Sequence, residues 1–159
     1  MKLGLVLREL HRAETTLAED LLKTAGRHHA EHEVHHVARD LAGWSAAHIR
    51  DIARAGRAHG LDLDEDVPGP GPLEPLRTAL AELSGRRPEP GLLLLADLRR
   101  LHRRAAGVSL DWELLAQGAQ AAKDTGLLEL ASRCHPQTLR QLKWTNATLK
   151  VLSPQILTS

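Results

Sequence analysis

Several residue types that many folds rely on are scarce or missing in this sequence. Its 159 residues contain no Phe and no Tyr, only one Cys and only three Trp. A single cysteine excludes an intrachain disulfide and fits a reducing compartment. A core built from Leu and Ala, with few aromatic or β-branched residues, favours helices over sheets. The length corresponds to one domain that is large enough to bury a real core.

Long apolar runs and an excess of charge of one sign are also absent. The formal net charge is +1, acidic and basic residues are interspersed, and no Lys/Arg stripe is present. We therefore expect no nucleic-acid partner. No stretch approaches the roughly 18 uninterrupted apolar residues of a membrane span, and the first apolar run, interrupted at Arg8 and Glu9, is too short for a signal peptide. The expectation is a soluble cytoplasmic protein without a membrane partner.

Four long segments have the apolar spacing of amphipathic helices. Apolar residues recur along each of them in alternating steps of three and four. The segments cover about residues 2–25, 30–59, 92–122 and 125–152. Because the links within the first pair and within the second pair are short, each pair is predicted to form an antiparallel hairpin. We therefore predict an all-α fold, an antiparallel four-helix bundle made of two helical hairpins.

A stretch rich in Gly and Pro separates the two hairpins. It spans residues 61–91, breaks the helical pattern with the run PGPGP and is predicted to contain one short helix from about Leu73 to Leu83. Neither hairpin could bury its apolar stripe alone, so this stretch is predicted to be a long crossover within a single domain, residues 1–159. Within the last helix, Pro136 predicts a break or kink near Cys134 and His135.

Histidine is clearly enriched, with ten residues in the chain. His48 lies in the apolar stripe of the second helix, between Trp44 and Ile52, and Glu14 occupies a seam position of the first helix. In an antiparallel hairpin Glu14 and His48 would both lie near the middle of the helices, at about the level of His11. Either the three side chains form a metal site, or His48 is a core histidine bonded to a carboxylate and Glu14 lies at the seam edge beside a base.

A second group of histidines opens the predicted second helix. His28, His32 and His36 have the spacing i, i+4, i+8 and would share one face of a helix. Two imidazoles one turn apart can hold a single transition metal ion. The alternative is a solvated helix end that is rich in polar residues.

The last helix carries a candidate partner surface. Lys143 and Trp144 lie in the polar run RQLKWTNATLK, and the alternative is that Trp144 covers a layer of the core. Cys134 beside His135 is not expected to act as a nucleophile, because adjacent helical residues point about 100° apart. No Gly-rich phosphate loop precedes a helix.

Two hairpins joined by a long crossover make the chain resemble the ferritin-like superfamily. Di-iron proteins of that fold place one Glu on each of two helices and a Glu-x-x-His pair on the other two. Glu14 matches the first element, but the only Glu-x-x-His of the second helix, Glu33 to His36, lies about 15 Å farther along the helix axis. Serines occupy the other positions where a carboxylate is needed: Ser45 before His48, and Ser132 before His135. The resemblance implies the fold, with an incomplete set of metal ligands.

Three functions remain open. The preferred one is a ferritin-like bundle without redox chemistry that acts as a binding or assembly protein, with a protein partner or a second copy. The second is a bundle that binds a transition metal (iron, zinc or manganese) through His and Glu for storage, sensing or an oxidoreductase step. The third is a pH-responsive histidine face that opens or closes an interface. No motif fixes a reaction, so a non-enzymatic role is preferred.

Overall fold

All regular secondary structure in the described part of the chain is helical, which confirms the predicted all-α fold. The computed structural model describes residues 2–69, 73–83, 85 and 89–159. Met1 and residues 70–72, 84 and 86–88 of the predicted connector lie outside the described residues. The helices are α1 (Leu3–Arg27), α2 (His32–Arg57), α3 (Glu74–Leu83), α4 (Pro90–Ala122) and α5 (Thr125–Thr158). None of the described helices has both the length and the apolar character needed to cross a membrane.

The four long helices pack pairwise around a shared core. α1 contacts α2 and α4, and α5 contacts the same two helices. α1 and α2 are antiparallel, because His35 near the start of α2 bonds to Ala25 near the end of α1, and His48 bonds to Glu14. The larger cluster of buried side chains draws on all four helices, and Trp112 is its largest fully buried member.

Local side chains set the beginnings of the last two helices. The carboxylate of Glu89 accepts hydrogen bonds from the backbone N–H groups of Gly91 and Leu92, and Pro90, which has no N–H to leave unpaired, stands in the first turn. α4 therefore begins at a proline, whereas the sequence pattern predicts a start at about residue 92. Asp124 caps α5 in the same way by accepting from the backbone N–H of Leu127 at 3.0 Å.

α5 continues through Pro136 to Thr158, although the sequence predicts a break or kink near Cys134 and His135. A proline removes one helical N–H, so the carbonyl four residues earlier loses its donor. Pro136 and Ser132, which carries that carbonyl, are both exposed. Water can therefore bond to the carbonyl, and the helix does not have to end.

The first part of the connector lies along α1. Leu61 and Leu63 pack against the core, and the backbone oxygen of Asp64 lies 2.7 Å from Nε2 of His11. Just after α2, His59 Nε2 lies 3.2 Å from the carboxylate of Asp124, which caps α5. α2 therefore ends at the same end of the molecule at which α5 begins.

Candidate functional site

A polar network, which we call the central network, lies at mid-length of the long helices and consists of the buried Glu14, His48 and Trp112 with the partly buried Gln137. Glu14 is 0% exposed. Its Oε1 accepts hydrogen bonds from Nδ1 of His48 at 2.8 Å and from Nε1 of Trp112 at 3.0 Å. Nε2 of His48 donates to Oε1 of Gln137 at 2.7 Å. Side chains from α1, α2, α4 and α5 therefore meet at one level.

Both ring nitrogens of His48 face oxygen acceptors, an arrangement that favours the protonated form of the ring. Burial lowers the pKa of His48, but the hydrogen bond and the negative charge of Glu14, with further contributions from Gln137 and Asp51, outweigh that effect. The pKa of His48 consequently lies above its usual value. The rings of His48 and Trp112 meet edge to face, with centroids 5.8 Å apart. Glu14 and His48 thus form a buried carboxylate–imidazole pair that favours protonation of His48 and lies against the indole of Trp112.

A second polar layer adjoins the central network about one helical turn away. Nε2 of Gln141 donates to the backbone oxygen of Leu41 and to Oγ of Ser45, both at 2.9 Å. Oε2 of Glu14, Oγ1 of Thr138 and Oε1 of Gln141 are buried as well, and no other group in the described residues bonds to them. Nε1 of Trp144 is a fourth buried polar atom without a partner in these residues, so the unpaired groups include both acceptors and donors.

Another buried carboxylate joins the end of α1 to α4, and we call it and its partners the corner cluster: Asp97, Arg27, His28 and Arg100. Asp97 is 1% exposed. Its Oδ1 accepts from Arg27 at 2.9 Å and from Arg100 at 3.2 Å, and its Oδ2 lies 2.7 Å from Nε2 of His28. Because Arg27 and His28 lie where α1 ends, the corner cluster fixes the α1–α2 turn against α4.

The structure brings together two of the three residues predicted to meet at mid-length. Glu14 and His48 bond directly, whereas His11 is only partly buried and bonds to the connector at Asp64. The turn between α1 and α2 extends to Glu31, so Glu14 instead of His11 lies opposite His48. His11 accordingly does not join the central network.

The predicted row of three histidines is divided between two places. His28 precedes α2, is buried at the end of α1 and bonds to Asp97, so it shares no helical face with the other two. His32 and His36 stand in the first turns of α2 and are exposed. Their rings are stacked, with centroids 6.4 Å apart and an interplanar angle of 16°.

The predicted partner surface does not present an exposed indole. Lys143 is exposed, but the ring of Trp144 packs against both clusters of buried side chains. The placement of Trp144 corresponds to the alternative that it covers a layer of the core. Burial raises the pKa of the Cys134 thiol to about 12, so that thiol stays protonated near neutral pH.

Three contributors to these clusters, Asp97, Trp112 and Gln137, are not among the predicted site residues. Asp97 lies three residues after Leu94 and four before Leu101, both buried, so helical spacing alone carries a signal for its burial. Trp112 has helical spacing with the buried Val108 and Leu115, but nothing in the sequence says that its N–H bonds to Glu14. Gln137 has no periodicity signal, because it stands beside the core face of α5.

Comparison with known proteins does not assign this chain to a family. No protein-family model, curated protein or solved structure matches this chain. Within residues 2–69, 73–83, 85 and 89–159, no group of three or more His, Cys, Asp or Glu side chains is arranged to hold a metal ion.

The raised pKa of His48 predicts a pH dependence of stability. The folded state binds this proton more tightly than the unfolded state, so the contribution is fully present below about pH 6.5 and is lost as pH rises through the folded-state pKa. The free energy of unfolding of the native protein, minus that of His48→Gln, is therefore expected to fall between pH 6 and pH 8.5. Urea titrations of both proteins at several pH values measure this difference. A difference that grows with pH would contradict the assignment.

Proposed function

We propose that the four long helices form a ferritin-like antiparallel four-helix bundle and that the protein acts as a binding or assembly protein without redox chemistry. The ring of contacts from α1 to α2, α5, α4 and back to α1 supports this topology. α2 ends beside the start of α5, at His59 and Asp124, while α4 begins near the end of α1, at Asp97 and Arg27. A connector between these two ends has to run the length of the bundle, as the ferritin-like crossover does.

We infer a role without redox chemistry from the side chains that occupy the buried centre. A di-iron centre of this fold uses a Glu from each of two helices and a Glu-x-x-His pair from each of the other two. The corresponding inward-facing pairs of this chain are Ser45 with His48 on α2 and Thr138 with Gln141 on α5. Glu14 is the only carboxylate among these residues, and its Oε1 already accepts two hydrogen bonds. Two iron ions need several carboxylates to balance their charge, so this donor set suits packing and hydrogen bonding instead.

Exposed leucines support the binding or assembly part of the proposal. The leucines of the α3 region recur at helical spacing and are each more than half exposed: Leu73, Leu76, Leu80 and Leu83. On α4, Leu110 and Leu114 stand one turn apart and are 67% and 60% exposed. Apolar side chains grouped on a surface in this way are typical of a contact with another protein.

Iron oxidation and molecular mass together test the proposal. When Fe(II) is added in air to protein made without a tag, we expect oxidation no faster than in buffer and no oxo-bridged iron absorbance. Sedimentation velocity at about 50 μM is expected to show a discrete species heavier than the 17.4 kDa chain. Two irons retained per chain, with catalysed oxidation that Glu14→Gln abolishes, would overturn the non-redox assignment. A monomer throughout the concentration range would exclude assembly with a second copy.

A further inference from the structure

The first turns of α2 carry a histidine pair that neither buried cluster uses. His32 and His36 are exposed, stand at i and i+4, and bond to no other group in the described part of the chain. We propose that these two imidazoles chelate one borderline divalent transition metal ion, of the class of Zn²⁺, Ni²⁺ or Cu²⁺. This site goes beyond the proposed function, because it lies on the surface, away from Glu14 and His48.

The geometry of the pair suits a shared ion. An imidazole nitrogen binds Zn²⁺ at about 2.0–2.1 Å, so the ring centroids of two ligands at a tetrahedral angle stand roughly 5 Å apart. The centroids of His32 and His36 are 6.4 Å apart with the rings nearly parallel. Because both side chains are exposed, side-chain rotation alone can bring the two nitrogens to one ion. Imidazole ligands select borderline ions over Mg²⁺ and Ca²⁺, which prefer oxygen.

The surroundings of the pair favour a cation with positions open for further ligands. Glu33 adds a negative charge in the first turn of α2. His35 is turned away from the pair by its backbone contact, with Nδ1 2.7 Å from the backbone oxygen of Ala25, although its ring centroid lies 5.1 Å from that of His36. Two protein ligands leave the remaining positions of the ion for water or for a ligand brought by another molecule.

Calorimetric titration of the full, untagged chain tests the site. With ZnCl₂ or NiCl₂ at pH 7.5 we expect one ion per chain, no binding of MgCl₂, and loss of binding at pH 5.5, because a ligating imidazole must be deprotonated. His32→Ala and His36→Ala are each expected to weaken binding at least tenfold. The matched control His29→Ala removes an exposed histidine of the preceding turn and is expected to change the affinity less than twofold.

Two further readouts keep the test decisive. The imidazole proton resonances of His32 and His36 are expected to shift or broaden first as Zn²⁺ is added, whereas that of His48 stays unchanged. Circular dichroism of each variant without metal verifies that the helices are intact. Equal loss of affinity in His29→Ala, or binding that survives in His32→Ala with folded protein, would overturn the chelate.

Discussion

Replacing Glu14 with alanine is expected to lower the free energy of unfolding by about 3–5 kcal/mol, the range measured when one partner of a buried ion pair is removed. Nδ1 of His48 and Nε1 of Trp112 then both lose their acceptor, and His48 loses the nearby negative charge that favours its protonated form. Equilibrium unfolding in urea, with the slope verified to be unchanged, measures the loss.

Two companion variants separate the charge from the shape of Glu14. Glu14→Gln keeps the size of the side chain and an oxygen for Trp112, so it is expected to destabilise less than the alanine variant and to lower the pKa of His48. Glu129→Ala removes an exposed carboxylate from α5 and is expected to change stability by no more than about 0.5 kcal/mol. Equal effects of Glu14→Ala and Glu129→Ala would refute the buried ion pair.

Removing the other buried carboxylate is expected to have the second largest effect, a loss of about 2–3 kcal/mol for Asp97→Ala. Asp97 accepts from three basic side chains, but two of these bonds are less costly to lose, because Arg27 and Arg100 are 42% and 49% exposed and can turn into water. His28 is 6% exposed and stays buried without an acceptor. Because only one of the three partners stays buried, the free energy of unfolding is expected to fall less than in Glu14→Ala.

Hydrogen exchange distinguishes the corner cluster from a general loss of stability. In Asp97→Ala the backbone amides around the α1–α2 turn, residues 28–35, are expected to exchange faster than those near Glu14, because only the corner is released from α4. Asp40→Ala, which removes an exposed carboxylate from α2, serves as the control. Uniform acceleration along α1 and α2 would show that Asp97 does not hold the corner specifically.

The helical class could be predicted because it depends on one local property, the spacing of apolar residues. That spacing places Leu7, Leu10 and Leu17 on one face of α1, and the structure buries all three. It also places Glu14 on that face, and the match between Glu14 and His48 follows once the hairpin is accepted. Burial of a charged residue at a seam position is thus visible in the sequence.

The partners of the buried charges could not be predicted, because they depend on the exact length of a turn and on side-chain direction. Because the turn ends at Glu31, Glu14 instead of His11 lies opposite His48, and His11 bonds to the connector. His28 shows the same sensitivity, since it has the i, i+4, i+8 spacing with His32 and His36 but lies in the turn and bonds to Asp97. Pro136 shows a third limit, because a proline disfavours a helix interior without always ending the helix, and α5 continues through it.

The two buried carboxylates limit where the chain can accept inserted or deleted residues. Glu14 and Arg27 are separated by roughly 20 Å of continuous helix, and each takes part in a cluster with α4. Inserting a single residue between them would rotate one cluster about 100° away from its partners. By contrast, Pro68 and Gly69 are exposed in the connector, and extra residues there only lengthen a loop. Insertions and deletions in natural or designed variants should therefore gather beside Gly69 and spare the second half of α1.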